Sequence, residues 1–306
     1  SRGWAARAHQ LELVTRAQAG LSTLLIAPTG AGKTLAGFLP SLIDLAPLAD
    51  VGLKRPHKLH TLYISPLKAL TTDVARNLET PAREMKLGVR IETRTGDTPS
   101  SKRQRQRAPP PDILLTTPEQ LSLLIASEHA RIFFADLQAV VIDEIHALAP
   151  NKRGDLLALA LARLRRWAPA HKRIGLSATV ADEAALARWQ MGATLGPQAD
   201  GSIIVRAAAG AKPIVDVLDS NALIPWAGHT ARHAIPEVYA AIKGAKLALV
   251  FVNTRAQAEM TFQELWRVND DALPIALHHG SLDVAQRRKV EAAMARGDLG
   301  AVVCTS

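Results

Sequence analysis

The sequence predicts a doubly wound α/β protein built in two units, and three observations carry that prediction. Short runs of Val, Ile and Leu recur along the 306 residues, each too brief for a helix and apolar on both faces. Such runs read as buried strands of a parallel sheet. The segments between most of them have helical period, and that alternation is the signature of α/β architecture. Nearly every run is followed at once by a polar cluster, which is where open parallel sheets bind ligands. The length suits two domains of roughly 100–200 residues.

Taken in order, LLIA (24–27) precedes PTGAGKT and reads as a first strand, with a helix opening near Lys33. TLYI (61–64) runs into SPLK, ILL (113–115) into TTPE, and VVI (140–142) into DEIH. Between TLYI and ILL lies PSSKRQRQRAPPP (99–111), read as a basic surface loop ended by prolines, with direct nucleic-acid contact as the alternative. GDLLALALARLRRWA (154–168) puts Leu156, Leu157, Leu161 and Leu164 on one helical stripe. IGL (174–176) leads to SAT. The small-residue stretch AAAGAKP (207–213) reads as a linker, which divides the chain into 1–208 and 209–306. In the second part LALVFV (247–252) precedes NTR and IAL (275–277) precedes HHGS, while 255–268 and 284–296 have helical period. AVVC (301–304) is expected to stand as the last strand of an unfinished sheet.

Composition excludes several classes. Apolar residues make up 48% and charged residues 21%, which is ordinary for a core-forming chain and unlike disorder, collagen or coiled coil. The single cysteine, Cys304, excludes a disulfide framework and cysteine-based metal clusters, and suits a reducing compartment. No apolar run approaches the ~20 residues of a membrane span. A cytoplasmic home with no membrane partner is the resulting expectation. The start, SRGWAARAHQ, has neither an initiator Met nor a signal-peptide apolar region, so the numbering is expected to begin inside a longer chain. A formal charge of +9 favours a polyanionic partner.

The chemistry sits in three clusters. APTGAGKT (27–34) is a Walker A loop with Ala27 in place of the first glycine. In such a loop the N–H groups of Thr29, Gly30, Ala31 and Gly32 face phosphate oxygens, Lys33 reaches the β- and γ-phosphates of ATP, and the Thr34 hydroxyl ligates Mg2+. In DEIH (143–146), Asp143 is the expected second magnesium ligand, and Glu144 orients and deprotonates the attacking water. Two adjacent carboxylates at a strand end are costly unless a cation and a water use them. SAT stands 34 positions after Asp143, and Ser177 and Thr179 are candidates to relay movement between the carboxylates and the nucleic-acid side. His146 is either part of that coupling or a surface histidine. His229 and His233 are four apart but lack a third metal ligand, and Trp4 is an aromatic placed to stack on adenine.

Together these residues resemble the DExH-type helicases of superfamily 2. The resemblance implies two RecA-like P-loop domains in tandem, the second incomplete. It makes Gln10 the adenine-reading glutamine, with Lys33, Asp143 and Glu144 as the catalytic set. SPLKAL (65–70), TGDT (95–98) and TTPEQL (116–121) are similar to the family's strand-gripping motifs Ia, Ic and Ib. LVFVNTR (249–255), HHGSL (278–282) and CTS (304–306) are similar to motif IV, a second strand-contacting segment and the opening of motif V. Nucleic-acid contacts are thereby implied at Lys68, Arg94, Thr95, Thr117, Thr254, Arg255, His279, Ser281 and Thr305. DEIHAL followed by KRG (152–154) resembles the Lhr (large helicase-related) family. HQLELVTRA, RTGDT, RQRQ and PDILLTTPEQL look most like its ligase-associated DNA-repair branch. The implied activity is ATP-driven 3′→5′ movement on single-stranded DNA, with a repair ligase and nuclease as partners and a nucleoid-associated location. An RNA or RNA–DNA hybrid helicase is the alternative, as is a binding module without turnover. The sequence holds no QxxGRxxR arginine-finger motif, so the resemblance also implies a chain cut within motif V.

Overall fold

The computed structural model describes residues 5–46, 57–178, 180–192, 201–208, 210, 214–220 and 231–305. Trp4, Thr179 and His229 lie outside them. The chain separates into two compact units, Ser1–Lys212 and Pro213–Ser306, a boundary at 212/213 rather than 208/209. No helix among the described residues is long and apolar enough to cross a membrane.

The first unit is a parallel sheet between two helical layers. Its strands are β1 (Thr23–Ile26), β2 (Thr61–Ile64), β3 (Ile91–Arg94), β4 (Ile113–Thr116), β5 (Ala139–Ile142), β6 (Lys172–Ser177) and β7 (Ile203–Arg206). They run in the order β3-β4-β2-β5-β6-β1-β7, and every pairing is parallel. Two strands depart from the sequence reading, β3 and β7. Both are edge strands, where one paired side suffices and a continuous apolar run is not required. IETR alternates with polar residues for that reason.

Side chains alternate across the sheet, so each strand feeds two cores. One face packs Leu24, Ile26, Leu62, Ile64, Val140 and Ile142 against α5 (Pro118–Ile125), α6 (Ala130–Phe134), α8 (Lys152–Trp167) and α9 (Glu183–Met191). The other packs Leu25, Tyr63, Leu115, Val141 and Leu176 against α1 (Ala8–Gln18), α2 (Lys33–Leu45) and α3 (Lys68–Glu84). In α8 the buried stripe is Leu157, Ala160, Leu161 and Leu164, while Leu156 is only half covered. Its N-cap, Asn151, accepts hydrogen bonds from the N–H groups of Arg153 and Gly154. Gly154 has no space for a side chain, because a Cβ there would stand 2.2 Å from the Leu148 carbonyl at the end of α7 (Ile145–Leu148).

One buried cation closes the lower end of this layer. Arg173, in β6, donates to the carbonyls of Gln190, Met191 and Leu161, and its Nε to His171 Nε2. It thereby satisfies the free carbonyls at the end of α9.

The segment 99–111 is not simply a loop. Ser100–Arg105 forms a helix, α4, and Gln106 is fully buried, donating to Glu92 and to the Thr93 carbonyl on the edge strand. A long basic stretch concealed one inward glutamine, and that contact ties it down.

The second unit has a three-stranded parallel sheet of β8 (Ala248–Val252), β9 (Ile275–His278) and β10 (Ala301–Thr305), in the order β8-β10-β9. The final described strand is therefore central, paired on both sides over Ala301–Cys304, and not the ragged edge expected for AVVC. Ala301 and Val303 sit in a core with Ile235, Tyr239 and Ile242 of α10 (Ile235–Gly244) and Ala258 and Leu265 of α11 (Arg255–Arg267). The helix α12 (Val284–Arg296) follows β9.

Candidate functional site

The strand order β5-β6-β1 sets the site. Three of the polar clusters leave the same end of neighbouring strands, PTGAGKT from β1, SAT from β6 and DEIH from β5. Gly30 and Gly32 both have φ of 78°, the left-handed conformation that lets the loop curl before α2 begins at Lys33. Thr29 and Gly30 are exposed, Ala31 is buried, and Thr34 is half-buried on the first turn. The Lys33 ammonium is folded back on its own loop, donating to the carbonyls of Ala27 (3.0 Å) and Pro28 (3.4 Å).

The N-terminus of α1 closes over this loop. Gln10 is buried, accepts from the Arg7 N–H at 2.9 Å and donates toward the Gly32 carbonyl at 3.4 Å. Arg7 donates to the Gly30 carbonyl, and His9 Nε2 meets that of Ala31 at 3.0 Å. Beside them lies a cleft of about 580 Å³, lined by Arg7, His9, Thr29, Gly30, Arg206 and Ala207 among others. Arg7 and His9 were not apparent in the sequence; their position within one turn of Gln10 was the available signal.

Asp143 is buried at the end of β5. Tyr63 of the adjacent strand β2 donates its phenol proton to Asp143 Oδ2, and the Glu144 N–H donates to Oδ1 at 2.9 Å. Burial lifts the Asp143 carboxyl above the usual carboxylate range, against the pull of the Tyr63 hydroxyl, the Glu144 N–H and the more distant Lys33. Burial and the Asp143 charge together hold the Tyr63 phenol protonated. Tyr63 also stacks on Phe38 of α2, ring centres 5.0 Å apart. A phenol inside the otherwise apolar run LYI was the signal for this residue. Glu144 adopts a left-handed conformation, φ 45°, at the start of α7. Its carboxylate lies 3.5 Å from His146 Nδ1, and the same nitrogen lies 3.2 Å from the Ser177 hydroxyl. His146 therefore stands between the DEIH carboxylates and the end of β6.

Around the same rim, Lys68 opens α3 after SPLK, Arg94 ends β3 with Thr95 directly after it, and Thr117 precedes α5. Arg94, Thr95 and Thr117 are buried at 3–8% exposure, so their side chains brace loops as much as they face solvent. Thr95 accepts from the Asp97 N–H, its own N–H donates to Thr98, and Arg103 caps the carbonyls of Thr95 and Gly96. Arg153 of KRG grips Glu119 of TTPE through both Nε and Nη2.

In the second unit Thr254 is spent as the N-cap of α11, accepting from the Gln257 N–H. Arg255 donates to the Ser281 hydroxyl at 2.7 Å, so these two exposed residues form one surface. His279 is 2% exposed, accepts from the Ser281 N–H and has Nε2 3.3 Å from a Glu259 carboxylate oxygen. Thr305, half-buried, ends β10. Among the described residues no cluster of three or more His, Cys, Asp or Glu is arranged to hold a metal, and His233 stands in a 3₁₀ turn.

Comparison with known proteins follows this geometry. A model of the DEAD/DEAH box helicase family matches residues 7–187. An ATP-dependent helicase Lhr-Core of Methanothermobacter thermautotrophicus is 35% identical over 300 residues, covering 94% of this chain and 35% of its own. The Lhr helicase/uracil glycosylase of Escherichia coli is 35% identical over 92% of this chain and 22% of its own length. The structure of Mycobacterium smegmatis helicase Lhr bound to ssDNA and AMP-PNP superimposes with a TM-score of 0.76 at 33% identity, over 99% of this chain and 40% of that one. The chain thus spans about a third or less of the length of these curated relatives.

Proposed function

The chain belongs to the DEAD/DEAH box helicase family, and from that premise we propose that residues 1–306 form the ATP-driven motor portion of an Lhr-type single-stranded-DNA translocase and helicase. The observation that carries the reading is the convergence of Lys33, Thr34, Asp143, Glu144, His146 and Ser177 at the ends of three neighbouring strands. The ssDNA and AMP-PNP bound to the similar M. smegmatis helicase support it.

In this reading Lys33 leaves the carbonyls of Ala27 and Pro28 and meets the β- and γ-phosphates, whose charge outcompetes two neutral acceptors. The loop N–H groups from Thr29 to Gly32 hold phosphate oxygens. The donor set fits magnesium: a Thr34 hydroxyl and a buried Asp143 carboxylate are hard oxygen ligands that leave room for water and phosphate. Magnesium, when bound, supplies Lewis-acid charge stabilisation to the phosphates. Glu144 accepts the proton of the attacking water, and Gln10 turns its amide from Gly32 to the adenine edge. His146 and Ser177, with Thr179, pass the change toward the strand side. Strand phosphates lie along Lys68, Arg94, Thr95 and Thr117 in the first unit, and along Thr254, Arg255, His279, Ser281 and Thr305 in the second. Movement is 3′→5′, the process is DNA repair in the cytoplasm at the nucleoid, and a ligase and nuclease are the partners; the family resemblance supports these finer points.

The test is a pair of variants in the intact protein. Lys33→Ala abolishes nucleotide binding, because the phosphates lose their one P-loop charge. Glu144→Gln binds nucleotide normally and loses DNA-stimulated hydrolysis by at least ~100-fold, the lower end of what a general base contributes. Normal turnover by Glu144→Gln removes that residue from the role of base.

A further inference from the structure

A run of buried hydroxyls joins the SPLK loop to the DEIH carboxylate. The Leu67 N–H donates to Ser65 Oγ at 3.4 Å, and Ser65 stands two residues beyond Tyr63 on the same side of the extended chain, its buried hydroxyl beside the phenol. Tyr63 donates to Asp143 Oδ2, whose other oxygen takes the Glu144 N–H. Leu67 is the residue on which α3 begins, immediately before Lys68. Tyr63 and Ser65 are both 0% exposed, so water cannot substitute for either hydroxyl. A buried hydroxyl that loses its partner carries the full desolvation penalty, which makes each link depend on the next. The same phenol ring is stacked on Phe38 in α2, so its plane is fixed from the P-loop side.

We propose that Tyr63 is a positioning residue that couples strand binding at the SPLK loop to the nucleotide–cation site, acting through Ser65 on one side and Asp143 on the other. Engaging a strand phosphate at residues 66–68 shifts the Leu67 N–H. Ser65 follows it, and the phenol proton sets where Asp143 holds its oxygens. This route is separate from the His146–Ser177 contact, which leaves from Glu144. The inference rests on the functional reading above. Coupling between two ligands is reciprocal, so it is readable as binding without turnover.

The experiment measures Mn2+ binding by electron paramagnetic resonance, and affinity for a fluorescent non-hydrolysable ATP analogue, each with and without a single-stranded oligonucleotide. The intact protein is compared with Tyr63→Phe, Ser65→Ala and the double variant. Tyr63→Phe keeps the ring and its stack on Phe38, and should weaken Mn2+–nucleotide binding about tenfold, one lost hydrogen bond to a charged group. It should also lose most of the strand-induced tightening. Ser65→Ala should lose the strand-induced tightening, because it cuts the run on the loop side. The double variant should lose no more coupling than Tyr63→Phe alone, as members of one network do. Unchanged coupling in Ser65→Ala, or additive losses in the double variant, overturns the inference even if Tyr63→Phe is unstable. An unmodified protein that binds nucleotide with no response to the strand overturns the functional reading itself.

Discussion

His171 has been given a proton arrangement it cannot change cheaply. Its Nδ1 meets the Ala168 carbonyl at 2.6 Å and its Nε2 accepts from Arg173, so a second ring proton would point at a guanidinium. Burial, chiefly, with Arg173 and Arg165 adding repulsion, lowers its pKa from 6.5 to about 4. The unfolded chain therefore binds a proton that the folded chain refuses between those values, and stability must rise with pH across that window. Urea unfolding should show a loss of up to about 3 kcal/mol as pH falls from about 6.5 to 4. His171→Gln should flatten that slope, and an equally steep slope in the variant would assign the acid sensitivity elsewhere. None of this was visible in the sequence, where His171 is an ordinary residue after a helix. The residues that were visible carry their meaning in linear spacing. GAGKT curls a loop by itself, and DEIH places two carboxylates by itself. Tyr63 works on Asp143 from 80 positions away, through the pairing of Tyr63 with Val141 on the next strand, and no linear pattern encodes that neighbour.

At the scale of elements, buried parallel strands announce themselves and edge strands do not. β1, β2, β4, β5 and β6 have both faces covered and read as unbroken apolar runs; β3, with half its pairing and polar alternation, does not. The helix α4 was hidden for a related reason. Of the residues RQRQR only Gln106 is fully buried, and a single buried amide leaves no period to detect. The approach of α8 to α7 gives a sharper prediction. Gly154→Ala would press its Cβ against the Leu148 carbonyl, a backbone atom that cannot rotate away. Overpacking of this sort costs about 1–3 kcal/mol. Asn151→Ala, which removes the cap of the same helix without crowding it, should cost about 1 kcal/mol. Urea midpoints of the two variants check the order. If Gly154→Ala proves the milder, α8 is free to slide, and the grip of Arg153 on Glu119 at the TTPE turn should be weakened with it.

For the whole molecule, the +9 charge and the hydroxyl-rich rim predict phosphate-led binding with little sequence preference. Each neutralised single-strand phosphate should contribute about −0.7 to the slope of log affinity against log salt. A titration across unrelated oligonucleotides should give parallel lines of about −2 for the three proposed cationic contacts, Lys68, Arg94 and Arg255, and a flat response would contradict the reading. Because each unit has its own core, residues 1–212 should fold alone with a cooperative transition. The two sheets differ, however, in when they can be assembled. Among the described residues of the second unit β8 and β9 are not paired with each other; both wait for β10, the last of the three to be synthesised, to enter between them. The first unit has every strand out of the ribosome long before that moment. Translation therefore delivers a finished first unit tethered to a second one whose β8-β10-β9 sheet cannot form until residues 301–305 arrive. A nascent chain ending at 300 should show native protection in the first unit and none at 248–252 or 275–278, and a few more residues should confer both together.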